Sequence, residues 1–198
     1  MARPSKEKER VEQILVAYGE CVARHGVGGA TLERTAEAAG LARPLIRHYV
    51  GNREALLQRF VTWFIEQSDA ELAELEQQLP QQGKARTLVA WLFDPAFADA
   101  GTTRVGEALM LAAADDPELA RTMGVWSADF TAWLATILAA DVPAADTPLR
   151  RCVAAGIAAL YFNVESHTMI GAAETVRADS RRAAELLLDA LDGADGRP

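Results

Sequence analysis

Two arginines and a histidine lie close together in the first quarter of the sequence, in a stretch whose pattern predicts a short helix. Arg43, Arg47 and His48 fall between residues 43 and 50. Positions i and i+4 lie on one side of a helix, so Arg43 and Arg47 are expected to project from the same face. Guanidinium groups on an exposed helical face can bind phosphates and guanine acceptors in a DNA major groove. The pattern therefore predicts a helix that contacts DNA.

The elements that must position these side chains have the proportions of a helix-turn-helix. Thr31 is a suitable N-cap for a helix over 32–39, and Gly40 begins a three-residue turn to the helix over 43–50. Gly51 ends that helix and Asn52 caps the next one. The apolar positions expected to face inward are Leu32, Ala36, Ala39, Leu41, Ile46 and Val50.

Most of the remaining chain also has helical spacing of its apolar residues. A helix is expected from about residue 5 to 25, ending at Gly26, and a long one from 52 to 79, before a linker at 80–83. Capping residues precede prolines at Asp94, Asp116 and Thr147, and these open a short turn and helices to about 140 and 172. A last helix is expected over 174–192. The predicted fold class is all-α, with about nine helices and no sheet.

Composition and charge narrow the class of protein. Half of the 198 residues are apolar and a quarter are charged, which is typical of a globular chain with a sizeable core. The longest apolar run has ten residues, too short for a membrane span, and the charged residues up to 12 do not resemble a secretory signal. We expect a cytoplasmic protein with reduced thiols at Cys21 and Cys152, both small buried residues.

The net charge of −8 conceals an asymmetry between the two ends of the chain. Residues 1–55 carry nine Lys or Arg and seven Asp or Glu, whereas residues 56–198 carry eleven and twenty-one. A mildly basic head on an acidic body suggests a small module that contacts an anion.

The stretch from Thr31 to Leu57, TLERTAEAAGLARPLIRHYVGNREALL, resembles the DNA-binding domain of the tetracycline-repressor (TetR) family of transcriptional regulators. The resemblance covers about residues 9–57. It implies a DNA-binding domain at 1–51 and a helical effector-binding and dimerisation domain at 52–198. It also implies a homodimer, formed through 148–192, on a palindromic operator.

The resemblance assigns DNA contacts to seven residues. Arg43 opens the recognition helix and is the candidate for reading a base edge, while Leu45 can make only apolar contact, for example with a thymine methyl. Ala42 and Pro44 depart from the family pattern, which has a capping serine or threonine and then a small residue. The implied DNA-binding residues are Thr31, Arg43, Pro44, Leu45, Arg47, His48 and Arg53, of which Thr31, Arg47, His48 and Arg53 are assigned to phosphates.

The body of the chain is rich in aromatic residues, and core packing is the default interpretation for each of them. The resemblance implies that some line an effector pocket, and polar residues on apolar helices are further candidates because a buried polar group needs a partner. Asn163 and His167 could instead face solvent or a dimer interface. The candidate pocket residues are Trp63, Trp91, Met110, Trp126, Phe130, Asn163 and His167.

The stretch 149–162 is apolar on nearly every side, so it must be buried on every side, and a second subunit can cover what the body does not. We therefore expect a homodimeric DNA-binding regulator, most simply a repressor released from DNA by a small, largely apolar effector. The sequence contains no nucleophile–base pair, metal-ligand set or cofactor loop, so we expect no enzyme, metal or cofactor. The alternative is a helical dimeric small-molecule-binding or adaptor protein whose head no longer reads DNA.

Overall fold

The computed structural model describes residues 6–143 and 145–194, and these form nine α-helices, one 3-10 turn and no strand. The all-α prediction is therefore confirmed. The α-helices are α1 (Lys6–Gly29), α2 (Leu32–Ala39), α3 (Arg43–Val50), α4 (Arg53–Gln78), α5 (Lys84–Leu92), α6 (Ala100–Ala113), α7 (Pro117–Asp141), α8 (Thr147–Met169) and α9 (Ala173–Ala194), and the 3-10 turn is Pro95–Phe97.

The first three helices pack against one another around a small apolar core. Ile14 and Tyr18 of α1 and Ile46 of α3 are fully buried. The inward positions predicted for α2 are all buried, and so are those predicted for α3. Leu41, in the turn between the two helices, is half-buried. Burial of these side chains fixes α2 and α3 against α1.

Two glycines make the breaks around these helices. Gly40 has φ 64° in the left-handed region, and its N–H donates to the carbonyls of Ala36 and Glu37. This is the usual way in which a glycine ends a helix. Gly26 has φ 68° and interrupts α1 where the sequence predicts a stop, although helical geometry resumes and continues to Gly29.

The later helix starts agree with the sequence in part. Asp94 accepts a hydrogen bond from the Ala96 N–H, and Asp116 accepts from the N–H groups of Glu118 and Leu119, as expected of caps. The predicted cap at Thr147 is wrong by one residue. The N-cap of α8 is Asp146, whose side chain makes no capping bond, and Thr147 is the first residue of the helix.

The chain divides into two compact units. The first comprises the described residues up to 74 together with 104–120, and the second comprises 75–103 with 121–194. Three helices, α4, α6 and α7, contribute residues to both units. The division into 1–51 and 52–198 expected from the sequence concerns function rather than contacts, and it stays a prediction.

Within the second unit, α9 packs against α8 and α5. A methyl group added at Gly156 of α8 would lie 2.8 Å from Cδ1 of Leu187, so glycine lets the two helices approach closely. Ala184, Leu188 and Leu191 of α9 are buried, and Leu187 is half-buried.

One helix, α7, is long and apolar enough to cross a membrane by length and composition alone, and 28% of its most apolar stretch is buried in this chain. Some of the apolar residues of α7 pack in the core of this chain. Phe130, Leu134 and Ile137 of α7 are all buried.

The two cysteines differ, which corrects the expectation that both are buried. Cys21 is buried in α1, whereas Cys152 is exposed on α8. Burial raises the pKa of the Cys21 thiol above its usual value, so that thiol stays protonated. Burial likewise raises the pKa of Tyr18, whose hydroxyl has no hydrogen-bond partner among the described residues.

Two Gly→Ala substitutions should change stability in opposite directions. Gly40→Ala places a Cβ at φ 64°, where an L-residue is strained although no neighbouring atom lies within 4 Å, and should cost about 1 kcal/mol. Gly124→Ala, in an open position inside α7, should stabilise by up to about 1 kcal/mol. Urea unfolding of both variants measures this. Equal effects of the two substitutions would contradict the argument.

Candidate nucleic-acid interface

The helix α3 presents one side to solvent and the other to the core. Ile46 and Val50 are buried, whereas Arg43, Arg47 and His48 are exposed. Pro44 is also exposed, and 41% of Leu45 is accessible to solvent. The structure therefore brings the five residues predicted for this helix onto one exposed surface.

The start of α3 has no side-chain cap. Ala42 adopts the extended conformation of a capping residue, with φ −70° and ψ 139°, but its side chain makes no capping bond. Pro44 lies in the first turn, where its missing N–H leaves no helical hydrogen bond unmade. The departures at 42 and 44 thus leave the helix intact and remove one side-chain hydrogen bond from its first turn.

Arg43 forms an ion pair that helical spacing alone does not predict. Its Nη1 lies 2.6 Å from Oε1 of Glu33, and about half of each side chain is exposed. Glu33 belongs to the first turn of α2, ten residues earlier. The candidate base-reading arginine is therefore held by a carboxylate from the neighbouring helix.

Arg47 and His48 are differently placed. The side chain of Arg47 has no ion pair among the part of the chain that the structure describes, so its charge is open to an outside anion. The ring of His48 lies edge-on to that of Tyr49, with centroids 5.0 Å apart. The Tyr49 carbonyl in turn accepts from Nη1 of Arg59 on α4.

Thr31 is fixed by the start of α2. Its hydroxyl oxygen accepts from the Arg34 N–H at 3.2 Å, and its carbonyl accepts from the hydroxyl of buried Thr35. Thr31 is therefore a working N-cap, as predicted, and is half-buried. Its hydroxyl proton is not used in that bond and remains able to donate to an anion.

The start of α4 supplies the last predicted contact. Oδ1 of Asn52 accepts from the Ala55 N–H at 2.8 Å, so Asn52 caps the helix as its sequence position indicates. Arg53 is exposed, and its Nη2 donates to the Val27 carbonyl at 2.7 Å. This bond ties α4 to the segment before α2 and leaves the other guanidinium donors of Arg53 available.

Sequence reasoning missed three charged residues of this surface. Arg34 donates to the Gly29 carbonyl and lies on the exposed side of α2, and Arg59 is exposed on α4. Glu33, the third, partners Arg43. The helical period places Arg34 and Glu33 on the outer side of α2, which is the signal that could have found them.

The candidate pocket residues do not form one group. Trp126 and Phe130 contact Phe162 within the second unit, and Phe130 also contacts Tyr161. Trp91 stacks on Phe97, in the same unit. The contacts of Trp126 and Phe130 with Tyr161 and Phe162 form an aromatic cluster between α7 and α8, in which Phe130 is buried and Trp126 half-buried.

The other candidates lie elsewhere. Trp63 packs on Phe60 in the first unit, and Met110, 43% exposed, also belongs to that unit. Asn163 is exposed and His167 half-buried; Nδ1 of His167 lies 2.7 Å from the Asn163 carbonyl, which can only accept. The pocket-lining role of all seven residues stays a prediction.

The second unit has a cavity of about 290 Å³ away from the aromatic cluster. Its lining includes the segment 81–86, the end of α7 and the end of α9. The guanidinium of Arg86 donates to Asp189 and Asp192 beside it, and these bonds raise the pKa of Arg86. None of the seven candidate pocket residues lines this cavity. Over 6–143 and 145–194, no cluster of His, Cys, Asp or Glu side chains is suited to hold a metal ion.

No family model matches the chain. Two curated relatives do: the HTH-type transcriptional repressors AcnR of Corynebacterium efficiens, 30% identical over 84 residues, and of Corynebacterium glutamicum, 28% identical over 95. The alignments cover 42% and 48% of this chain and 41% and 47% of those proteins. The chain thus matches less than half the length of these relatives.

Solved structures match over nearly the whole chain. A TetR-family regulator from Cytophaga hutchinsonii has a TM-score of 0.73 at 18% identity, covering 100% of both chains. A transcriptional regulator from Rhodococcus sp. Rha1 has a TM-score of 0.73 at 21% identity, over 95% of this chain and 99% of that one. FadR of Bacillus subtilis, solved with stearoyl-CoA, has a TM-score of 0.66 at 20% identity over 89% and 97%.

The fold is therefore that of an all-helical transcriptional regulator with a helix-turn-helix head. More narrowly, it is the fold of TetR-family regulators, and the resemblance that the sequence carries from Thr31 to Leu57 is confirmed.

Two cap substitutions test how the starts of α3 and α4 are stabilised. Ala42→Ser supplies an acceptor to a backbone already in capping geometry and should stabilise the chain by about 0.5–1 kcal/mol. Asn52→Ala removes the bond to the Ala55 N–H and should cost about 1 kcal/mol. Urea unfolding measures both. No gain from Ala42→Ser would mean that the start of α3 is satisfied in another way.

Proposed function

We propose that this protein is a ligand-responsive transcriptional repressor that binds a palindromic DNA operator as a homodimer. The observation that carries the proposal is the exposed face of α3, where Arg43, Leu45, Arg47 and His48 lie on one side of a helix held from behind by Ile46. The AcnR repressors support it as relatives in sequence, and the TetR-family structures support it as proteins of the same fold.

In this proposal α3 enters the major groove and the surrounding groups bind the backbone. Arg43 reads a base edge from the first turn, Leu45 makes apolar contact and Pro44 packs beside it. Arg47 and His48 bind phosphates on one side of the groove, and Thr31 and Arg53 bind phosphates from the starts of α2 and α4. Free amides at these helix starts favour the same anions.

A homodimer through 148–192 is the second part of the proposal. Small or polar side chains follow one exposed stripe of α8, and Leu186 on α9 is 52% exposed. Small residues let a second helix approach closely, and two-fold symmetry gives the two heads that a palindromic site requires. The exposed stripe of α8 consists of Cys152, Ala155, Ala159 and Asn163.

The effector is the third part. We propose a small, largely apolar molecule bound in the body at 52–198, where the aromatic cluster provides apolar surface. The stearoyl-CoA bound to FadR shows an acyl ligand in a protein of this fold. The effector must prefer the form of the dimer whose heads do not fit the operator, since only a difference in affinity shifts the equilibrium. Movement of α4, which follows directly after the head, would transmit the change. A cytoplasmic location belongs to the same proposal.

Selection of sites from random double-stranded DNA at two salt concentrations tests the central claim. The wild type should enrich an inverted repeat. Arg43→Ala should lose preference at one base position in each half-site, whereas Arg47→Ala should weaken binding to all sequences and lower the salt slope by about one. Arg24→Ala, an exposed arginine on α1, is the control and should bind as the wild type does. A folded wild-type dimer that enriches nothing would favour the adaptor alternative.

The oligomer has its own test. Ala159→Arg places a charge on the α8 stripe and should convert the dimer to monomer, raising the dissociation constant at least tenfold. Ala73→Arg, at an exposed alanine of α4, adds the same charge outside the proposed interface and should stay dimeric. Sedimentation velocity at several concentrations measures both variants. Dissociation of neither, or of both equally, would place the interface elsewhere.

A further inference from the structure

The ion pair between Glu33 and Arg43 joins two helices at the point where the proposed DNA contact begins. Nη1 of Arg43 lies 2.6 Å from Oε1 of Glu33, and the two exposed groups form an ion pair. Exposed ion pairs contribute little to stability, so the main effect of this contact is on the position of the guanidinium.

Glu33 is the one described side chain that forms an ion pair with Arg43. It is the first residue of α3, and Ala42 before it provides no capping bond. A positive charge at a helix N-terminus is also unfavourable in the field of the helix dipole. Glu33 lies in the first turn of α2, where its negative charge is favourable, and it offsets the charge of Arg43.

The atoms used in the pair decide what Arg43 can still do. Glu33 forms its ion pair with Nη1, and among the described side chains none forms an ion pair or hydrogen bond with Nε or Nη2. One edge of the guanidinium is formed by Nε and Nη2, and Nη1 is not part of it. That edge is able to donate two parallel hydrogen bonds to O6 and N7 of a guanine while Nη1 remains on the carboxylate.

We infer that Glu33 is a positioning residue for DNA reading: it holds Arg43 by Nη1 so that the Nε–Nη2 edge faces a guanine. This inference rests on the proposed function and adds a specificity-determining residue to it. A carboxylate near the DNA backbone lowers the affinity for every sequence, because it repels phosphates. Glu33 therefore reduces general binding while it sharpens the choice of base at one position.

The test compares Glu33→Gln with Glu37→Gln. Both substitutions remove one negative charge from exposed positions of α2 at nearly constant size, and no ion pair to Glu37 is present in the described chain. Affinities for the selected operator and for operators with the Arg43-dependent guanine replaced give the discrimination. Glu33→Gln should lower that discrimination about fivefold, the smaller end of what one bidentate arginine–guanine contact contributes. Glu37→Gln should leave it unchanged.

The same substitution in an Arg43→Ala background separates positioning from a general effect. There Glu33→Gln should change discrimination no further, because the group it positions is gone. Both glutamine variants should bind random DNA with affinities equal within about twofold, and they should unfold at the same temperature. A variant that had lost structure would fail one of these two controls.

Three results would overturn the inference. Equal discrimination by Glu33→Gln and Glu37→Gln would show that the pair does not orient Arg43. A further loss in the Arg43→Ala background would show that Glu33 acts through something else. If the wild type enriches no DNA sequence at all, the proposed function and this inference fall together, whereas the first two results leave the proposed function standing.

Discussion

An eight-residue helix is too short to be stable in water on its own, and the proposed interface depends on what holds α3 in place. The first turn of α3 has no side-chain cap, and the charge of Arg43 at that end is unfavourable to the helix. Burial of Ile46 and Val50 must therefore supply most of the stability, at roughly 1.5–3 kcal/mol for each fully buried side chain. The same burial fixes which side of α3 faces outward. Ile46 and Val50 are four positions apart and therefore lie on one side of the helix, which leaves the opposite side exposed to solvent.

The left-handed turn at Gly40 is the second part of that constraint. It sets the angle between α2 and α3, and that angle brings Glu33 within 2.6 Å of Arg43 although ten residues separate them in sequence. The backbone at Gly40 and the apolar core therefore determine where the charged groups of α2 and α3 lie. Charges on the outer surface then adjust a geometry that apolar packing has already set.

The sequence predicts the head well because its signals are local. Thr31, Gly40 and Asn52 are capping or turn residues whose roles depend on their immediate neighbours, and α2 and α3 have the bounds expected from them. Local signals were weak for α5 and α6. The N-cap of α5 is Gly83, with φ 69° and no side-chain bond, so little marks its start. Asp99 does cap the first turn of α6, accepting from Gly101 and Thr102, but glycine and two threonines there disfavour a helix on propensity alone.

Contacts between distant residues could not be predicted in the same way. The pairing of Glu33 with Arg43 needs the angle at Gly40, and the bond from Arg53 to the Val27 carbonyl needs the kinked end of α1. The exposure of Cys152 depends on which face of α8 packs against α9, and a helix apolar on nearly every side does not reveal that face. Sequence periodicity predicts the buried face of a helix that has one apolar side. Where both sides are apolar, it does not show which side faces the core.

The same limit applies to the body of the chain and explains why the proposed effector site is harder to place than the proposed DNA interface. Aromatic residues that pack in a core and those that line a pocket have the same sequence pattern. In the structure Phe130 contacts Trp133, Tyr161 and Phe162 and is buried, which is how a core residue behaves. The 290 Å³ cavity lies instead beside the Arg86–Asp189 and Arg86–Asp192 pairs, with polar groups already satisfied by one another. An apolar effector bound in the aromatic cluster, as proposed, would separate side chains of α7 and α8 that contact one another, so its binding and a change in the packing of these two helices would be one event.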